Sequence, residues 1–149
     1  MASTIARTAG KPATWLWRIR VSAEPKTIQM QIEADARLAA AAGAAARYFG
    51  DIAGLEGAAI TPLQDAVINA CKQAFTHLTK EHPWLQVTLT RLADRIEVAL
   101  SNRGRESAAK ESDRGSAGLG GVDDVHYETR GDITIMRLTK YISPTTLRY

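Results

Sequence analysis

The chain has 149 residues, 45% hydrophobic and 23% charged, with a formal net charge of +3, and a chain this long hides roughly 70% of its unfolded surface in one core, so one domain is expected. The single cysteine, Cys71, excludes an internal disulfide and a cysteine zinc cage, and fits a reducing compartment. The positive charge is mild and scattered, from Arg18 and Arg20 through Arg103, Arg105, Lys110 and Arg114 to Arg137, Lys140 and Arg148, and aromatics are few, so a nucleic-acid footprint ranks below an ordinary solvated surface.

Residues 1–14 are polar, small and aperiodic and read as a loose leader, with a single domain over 15–149. No apolar run precedes a cleavage site or approaches the ~18 residues of a membrane span, so a cytoplasmic location is expected. Alternation puts Trp15, Trp17, Ile19 and Val21 on one face of a first strand and Ile28, Met30, Ile32 and Ala34 on one face of a second. Ala23-Glu24-Pro25-Lys26 supplies the turn between them. Asp35 can cap a first helix that runs on alanines to about Phe49 and stops near Gly50 and Gly54.

Thr61-Pro62-Leu63-Gln64 joins a capping-box pattern to proline at a first helical position, which predicts a second helix beginning there. Leu63, Ala66, Val67, Ala70, Ala74, Phe75 and Leu78 form its apolar stripe, and His82-Pro83 ends it. Leu85, Val87 and Leu89, then Ile96, Val98 and Leu100, alternate as a hairpin around Ala93-Asp94. From Asn102 to Gly121 the composition turns to Ser, Gly, Ala and mixed charge, a long connection of the kind that often carries function. A last hairpin spans about 122–129 and 132–142 with its turn at Arg130-Gly131. His77, His82 and His126 do not fall at metal-ligand spacing, and no protein-bound metal cage is expected. The order predicts an α/β two-layer sandwich, a mixed, mostly antiparallel sheet with both helices on one face.

The stretch Ala66-Val67-Ile68-Asn69-Ala70-Cys71-Lys72-Gln73-Ala74-Phe75-Thr76-His77 is similar to the motif helix of the anti-sigma factor serine kinases, where A-V-x-E-A-C-x-N-A-x-x-H is typical. Leu100-Ser101-Asn102-Arg103-Gly104 resembles that family's first glycine box, D-x-G. Ala117-Gly118-Leu119-Gly120 resembles the G-L-G of the second, and Thr139-Lys140-Tyr141-Ile142 resembles its T-K-Y-L close. The matches run in the family's order over roughly residues 28 to 142. The resemblance implies the Bergerat, histidine kinase-like ATPase fold of the GHKL superfamily, with ATP and Mg²⁺ as cofactors. It implies nucleotide contacts at Asn69, Gln73, Asn102, Gly104, Gly118 and Gly120, with Gln73 at the magnesium position.

Three departures bear on the chemistry. Asn69 stands where the family has the acid that activates the attacking hydroxyl or water, and an amide accepts no proton at neutral pH; general-base help worth about 10²–10⁴-fold is therefore absent. Gln73 replaces the magnesium asparagine with a carbonyl one methylene further out. Asn102 replaces the aspartate that accepts from the adenine amine, and its amide oxygen can still accept. Helical spacing sets Asn69, Gln73 and His77 in one row beside the apolar stripe. The family's helix after the second glycine box is shortened or lost here, and Asp123 with Asp124 would repel a triphosphate.

Family members hold a sigma factor inactive and phosphorylate a serine on a STAS-domain antagonist. The resemblance therefore implies a pseudokinase: an anti-sigma-type regulatory domain in partner switching that contacts a sigma factor or STAS-domain antagonist, with a homodimer as a further option. The alternative it leaves is an active ATP-dependent serine kinase that relies on positioning and electrostatics instead of the missing base.

Overall fold

In the computed structural model, residues 19–21, 26–103 and 118–142 are described. Their strands are β1 (Ile19–Val21), β2 (Thr27–Ile32), β3 (Leu85–Arg91), β4 (Arg95–Arg103), β5 (Asp124–Arg130) and β6 (Ile133–Tyr141). The helices α1 (Ala36–Ala53) and α2 (Gly57–Phe75) lie between β2 and β3. One sheet has the order β1-β2-β3-β4-β6-β5, and both helices pack against each other and over its β2–β4 part. The result is an α/β two-layer arrangement.

Among the described residues every strand pairing is antiparallel, where a mixed sheet was expected. With two helices between β2 and β3 the chain reverses three times, so β3 enters beside β2 in the opposite sense. The period-2 pattern sets the inner face: Ile28, Met30 and Ile32 of β2, Leu85, Val87 and Leu89 of β3, Ile96, Val98 and Leu100 of β4, and Met136 and Leu138 of β6 are all buried. Ala34, placed on the second strand's face from sequence, is exposed beyond the end of β2. Trp15, Trp17 and the 23–25 part of the first turn lie outside the described residues.

α1 starts and stops where the sequence says. The Asp35 carboxylate accepts from the Arg37 backbone N–H at 2.8 Å. Gly54, at φ 84°, donates its N–H to the Asp51 carbonyl and ends the helix in a left-handed turn. Its alanines serve close packing: a Cβ on Gly43 would sit 2.6 Å from Ile68 Cγ1 of α2.

α2 begins one turn earlier than Thr61-Pro62 predicts, at Gly57, with Pro62 inside it. Ile60 decides this. It is 4% exposed and continues the stripe of Leu63 and Val67 at helical spacing, lying where a Cβ on Gly50 would meet it at 3.5 Å. Burying an isoleucine is worth about 1.5–3 kcal/mol, more than the roughly 1 kcal/mol of a side-chain cap. Ala59 and Ile60 instead donate to the Glu56 carbonyl at 2.8 and 3.0 Å. α2 also ends earlier than His82-Pro83, at Phe75, because the Thr76 N–H and Oγ1 both turn back to the Gln73 carbonyl, at 3.2 and 2.7 Å.

The connection after β4 starts later than Asn102, since Asn102 and Arg103 pair with Thr134 and Ile133 of β6. The last hairpin turns on Gly131-Asp132, one residue beyond the expected place, with Arg130 and Ile133 paired and Gly131 at φ 62°.

Candidate functional site

The middle of α2, the stretch 118–123 and the far end of β4 carry the residues singled out from sequence. α2 holds Asn69 and Gln73 half-buried beside its apolar stripe of Leu63, Ala66, Val67, Ala70, Cys71 and Ala74. The glycine-bearing stretch lies directly on this helix. Asn69 Nδ2 donates to the Gly118 carbonyl at 3.0 Å, across 49 residues of sequence. Gly118 is at φ 78°, and a Cβ there would lie 2.9 Å from that same Nδ2. The next residue, Leu119, is 2% exposed within the main core.

Gly121 fixes the other end of the stretch. A Cβ on it would run into the carbonyl of Pro62, and would sit 2.8 Å from Leu63 N, so only a glycine lets the backbones approach this closely. Between Gly118 and Asp123 the chain forms turns and bends with no helix, as the spacing to β5 requires. Asp123 is tied into the sheet: its N–H donates to the Thr139 carbonyl at 2.8 Å, and its carboxylate accepts from Tyr141 N at 2.7 Å. Lys140 Nζ lies 3.6 Å from the same carboxylate and offsets part of its charge. Asp124 opens β5 and is exposed.

α2 and the stretch 118–121 are thus in contact, with the Asn69 amide committed to a backbone carbonyl. An amide in that position has no lone pair basic enough to take a proton, and here its nitrogen holds the chain. Gln73 lies one turn further along and is half-buried. His77 falls after the helix cap and is therefore not part of a continuous helical row with Asn69 and Gln73, which corrects the i, i+4, i+8 reading. Among the described residues no three His, Cys, Asp or Glu side chains group to hold a metal ion. Magnesium usually takes one or two carboxylates together with phosphate oxygens, and a lone glutamine carbonyl at Gln73 does not make that set.

At the end of β4, Asn102 is 7% exposed on the inner face of the sheet, in line with Ile96, Val98 and Leu100. Its cross-strand partner Thr134 is 4% exposed. Asn102 Nδ2 and Thr134 Oγ1 are both buried with no hydrogen-bond partner among the described residues. Each such group costs about 1–3 kcal/mol, and two side by side on a core face mark a place prepared for a polar contact. Sequence reasoning singled out Asn102 and missed Thr134. The signal was present: Thr134 shares the period-2 register of Met136 and Leu138, so it is a hydroxyl on an apolar face. Gly118 and Gly120 are in the stretch against α2, with Gly120 open to space, while Gly104 lies outside the described residues.

Cys71, within the motif, is fully buried, and desolvation pushes its thiol up to about 12. It stays protonated and serves as a small apolar side chain. No helix among the described residues is long and apolar enough to cross a membrane. No family model matches the chain, and no curated protein matches it.

Proposed function

We propose that this chain is a regulatory domain of the anti-sigma, partner-switching type, built on a Bergerat-like fold, which binds a sigma factor or a STAS-domain antagonist and transfers no phosphate. The observation that carries the reading is the hydrogen bond from Asn69 to Gly118. It joins two of the motifs on which the family resemblance rests, and it puts a committed amide where proton abstraction would need a free carboxylate. What persists is a two-layer domain with its binding surface; what is lost is the base.

ATP, in this reading, is contacted by Asn102 at its base end and by Gly118 and Gly120 near its phosphates, and Gln73, at the family's magnesium position, does not hold the ion by itself. The test mixes the purified full chain with a STAS-domain protein and a sigma factor encoded beside it, with Mg²⁺ and ATP. A stoichiometric complex on a sizing column, with unmodified antagonist by mass spectrometry, is the expected result. Stoichiometric phosphoserine on the antagonist overturns the loss of transfer, and absence of any complex overturns the regulatory role.

A further inference from the structure

β5 ends the sheet, and among the described residues β6 is the strand it pairs with. The Thr139 carbonyl of β6 accepts from the Asp123 N–H at 2.8 Å and is therefore turned toward β5. Thr139 and its partner Asp124 thus form a hydrogen-bonded pair, and such pairs alternate along an antiparallel ladder. The two-residue loop Gly131-Asp132, which closes on Arg130 and Ile133, sets the same phase. Even-numbered residues of β5 therefore direct their backbone groups to β6, while Val125, Tyr127 and Thr129 turn theirs to the outer edge.

The side chains fall into two rows. Val125, Tyr127 and Thr129 pair with Leu138, Met136 and Thr134 and share the helix-covered face. Asp124, His126, Glu128 and Arg130 line the opposite face, Glu128 half-buried and the other three exposed. This second row is complementary to its own reverse. A second β5 laid antiparallel along the outer edge, with a two-fold axis at Tyr127, sets Asp124 of one copy opposite Arg130 of the other. The same axis sets His126 opposite Glu128, and symmetry makes each pair occur twice. Opposite charges directly across a strand pair stabilise it, and like charges destabilise it. Imidazole carries an N–H in either protonation state and a carboxylate has about four acceptor sites, so Glu128 can take His126 in addition to Arg130 and Arg137.

The same ladder phase allows two neighbouring registers, and both are repulsive. An axis at His126 sets Asp124 against Glu128, and an axis at Glu128 sets that carboxylate against its own copy. Of the three, only the axis at Tyr127 pairs opposite charges while joining the outward backbone groups of Val125 in one copy to those of Thr129 in the other. We propose that the outer edge of β5 is a homodimer interface, which joins two copies into one continuous antiparallel sheet about a two-fold axis at Tyr127. The contact is isologous and closes this edge at two copies.

The test is sedimentation equilibrium on the full chain, from micromolar to hundreds of micromolar protein, because a one-strand contact falls in the small, transient class of interface. A monomer–dimer equilibrium is the expected result. Asp124→Arg alone and Arg130→Asp alone each set like charges at two symmetry-related pairs, and each should weaken dimerisation at least about tenfold. An equimolar mixture of the two variants should restore it, since every Asp–Arg pair of the mixed dimer is again of opposite sign. Thr129→Pro removes one outward N–H without touching the ladder to β6 and should also weaken the dimer about tenfold or more; it serves if a charge reversal disturbs the Arg130–Glu128 ion pair. A monomer throughout the range overturns the inference, and loss of the antagonist complex in Thr129→Pro would then assign the edge to a partner's strand. A dimer indifferent to Thr129→Pro overturns it as well, as do single variants that the mixture does not rescue. Complex formation by the unchanged chain still judges the regulatory reading separately.

Discussion

Gly121→Ala puts the contact between α2 and the glycine stretch to a quantitative test. The added methyl has no clear direction to move in, because what it meets is backbone: the Pro62 carbonyl and Leu63 N of a packed helix. Two responses are open. Shifting the stretch or the helix to make room costs about 1–3 kcal/mol, as overpacking does elsewhere. Releasing the stretch gives up the burial of Leu119, worth about 1.5–3 kcal/mol, and the Asn69 to Gly118 hydrogen bond, worth about 0.5–1.5 kcal/mol. The cheaper route sets the outcome, so urea unfolding should show a loss of about 1–3 kcal/mol. Gly120→Ala is the control. Nothing lies within 4 Å of a Cβ at that position, and the substitution should leave stability within about 0.5 kcal/mol or raise it slightly. Amide exchange separates the two responses, because release frees the Asp123 N–H from the Thr139 carbonyl while a shift does not. Equal stability of the two variants would refute the packing of this stretch on α2.

Thr134→Val replaces an unpartnered buried hydroxyl with a methyl of similar size and should stabilise the unliganded protein by about 1 kcal/mol in thermal or urea unfolding. Asn69→Glu sets a carboxylate against the Gly118 carbonyl and should lower stability by about 1–3 kcal/mol; combined with Gln73→Asn it should strengthen nucleotide binding, read by calorimetry. Cys71 should resist thiol reagents at neutral pH, with labelling limited by unfolding, since burial holds its thiol near 12. Glu128 is held below the ordinary carboxylate range first by its hydrogen bond from Arg130, so Glu128→Gln should cost stability at neutral pH. That cost should fade as pH falls below about 4.5 through the depressed value, where the native carboxylate also protonates.

Elements whose burial period and end signals agree were legible in the sequence. α1 is one, with Asp35 and Gly54 at its ends, and the β3–β4 hairpin is another, with Leu85, Val87, Leu89, Ile96, Val98 and Leu100 all inward. The start of α2 was misread because two local rules competed, the capping box at Thr61 and the burial of Ile60, and tertiary packing outweighed the cap. In the site, motif spacing singled out Asn69 and Gly118 in separate segments. It did not reveal that they touch, since whether a glycine stretch stands off a helix or lies on it depends on where Leu119 and Gly121 pack. Thr134 escaped notice because threonine is ordinary in a strand, and only its burial without a partner sets it apart.

The arrangement at residue 69 is open to direct observation by NMR. With the Asn69 side-chain amide assigned in the full-length chain, cross-relaxation to the Gly118 α-protons should be strong, and it should weaken in Gly121→Ala and persist in Gly120→Ala. An Asn69 amide with no cross-peak to residue 118 would contradict the account, for the side chain would then be unattached and the inference drawn from its commitment would lose its basis.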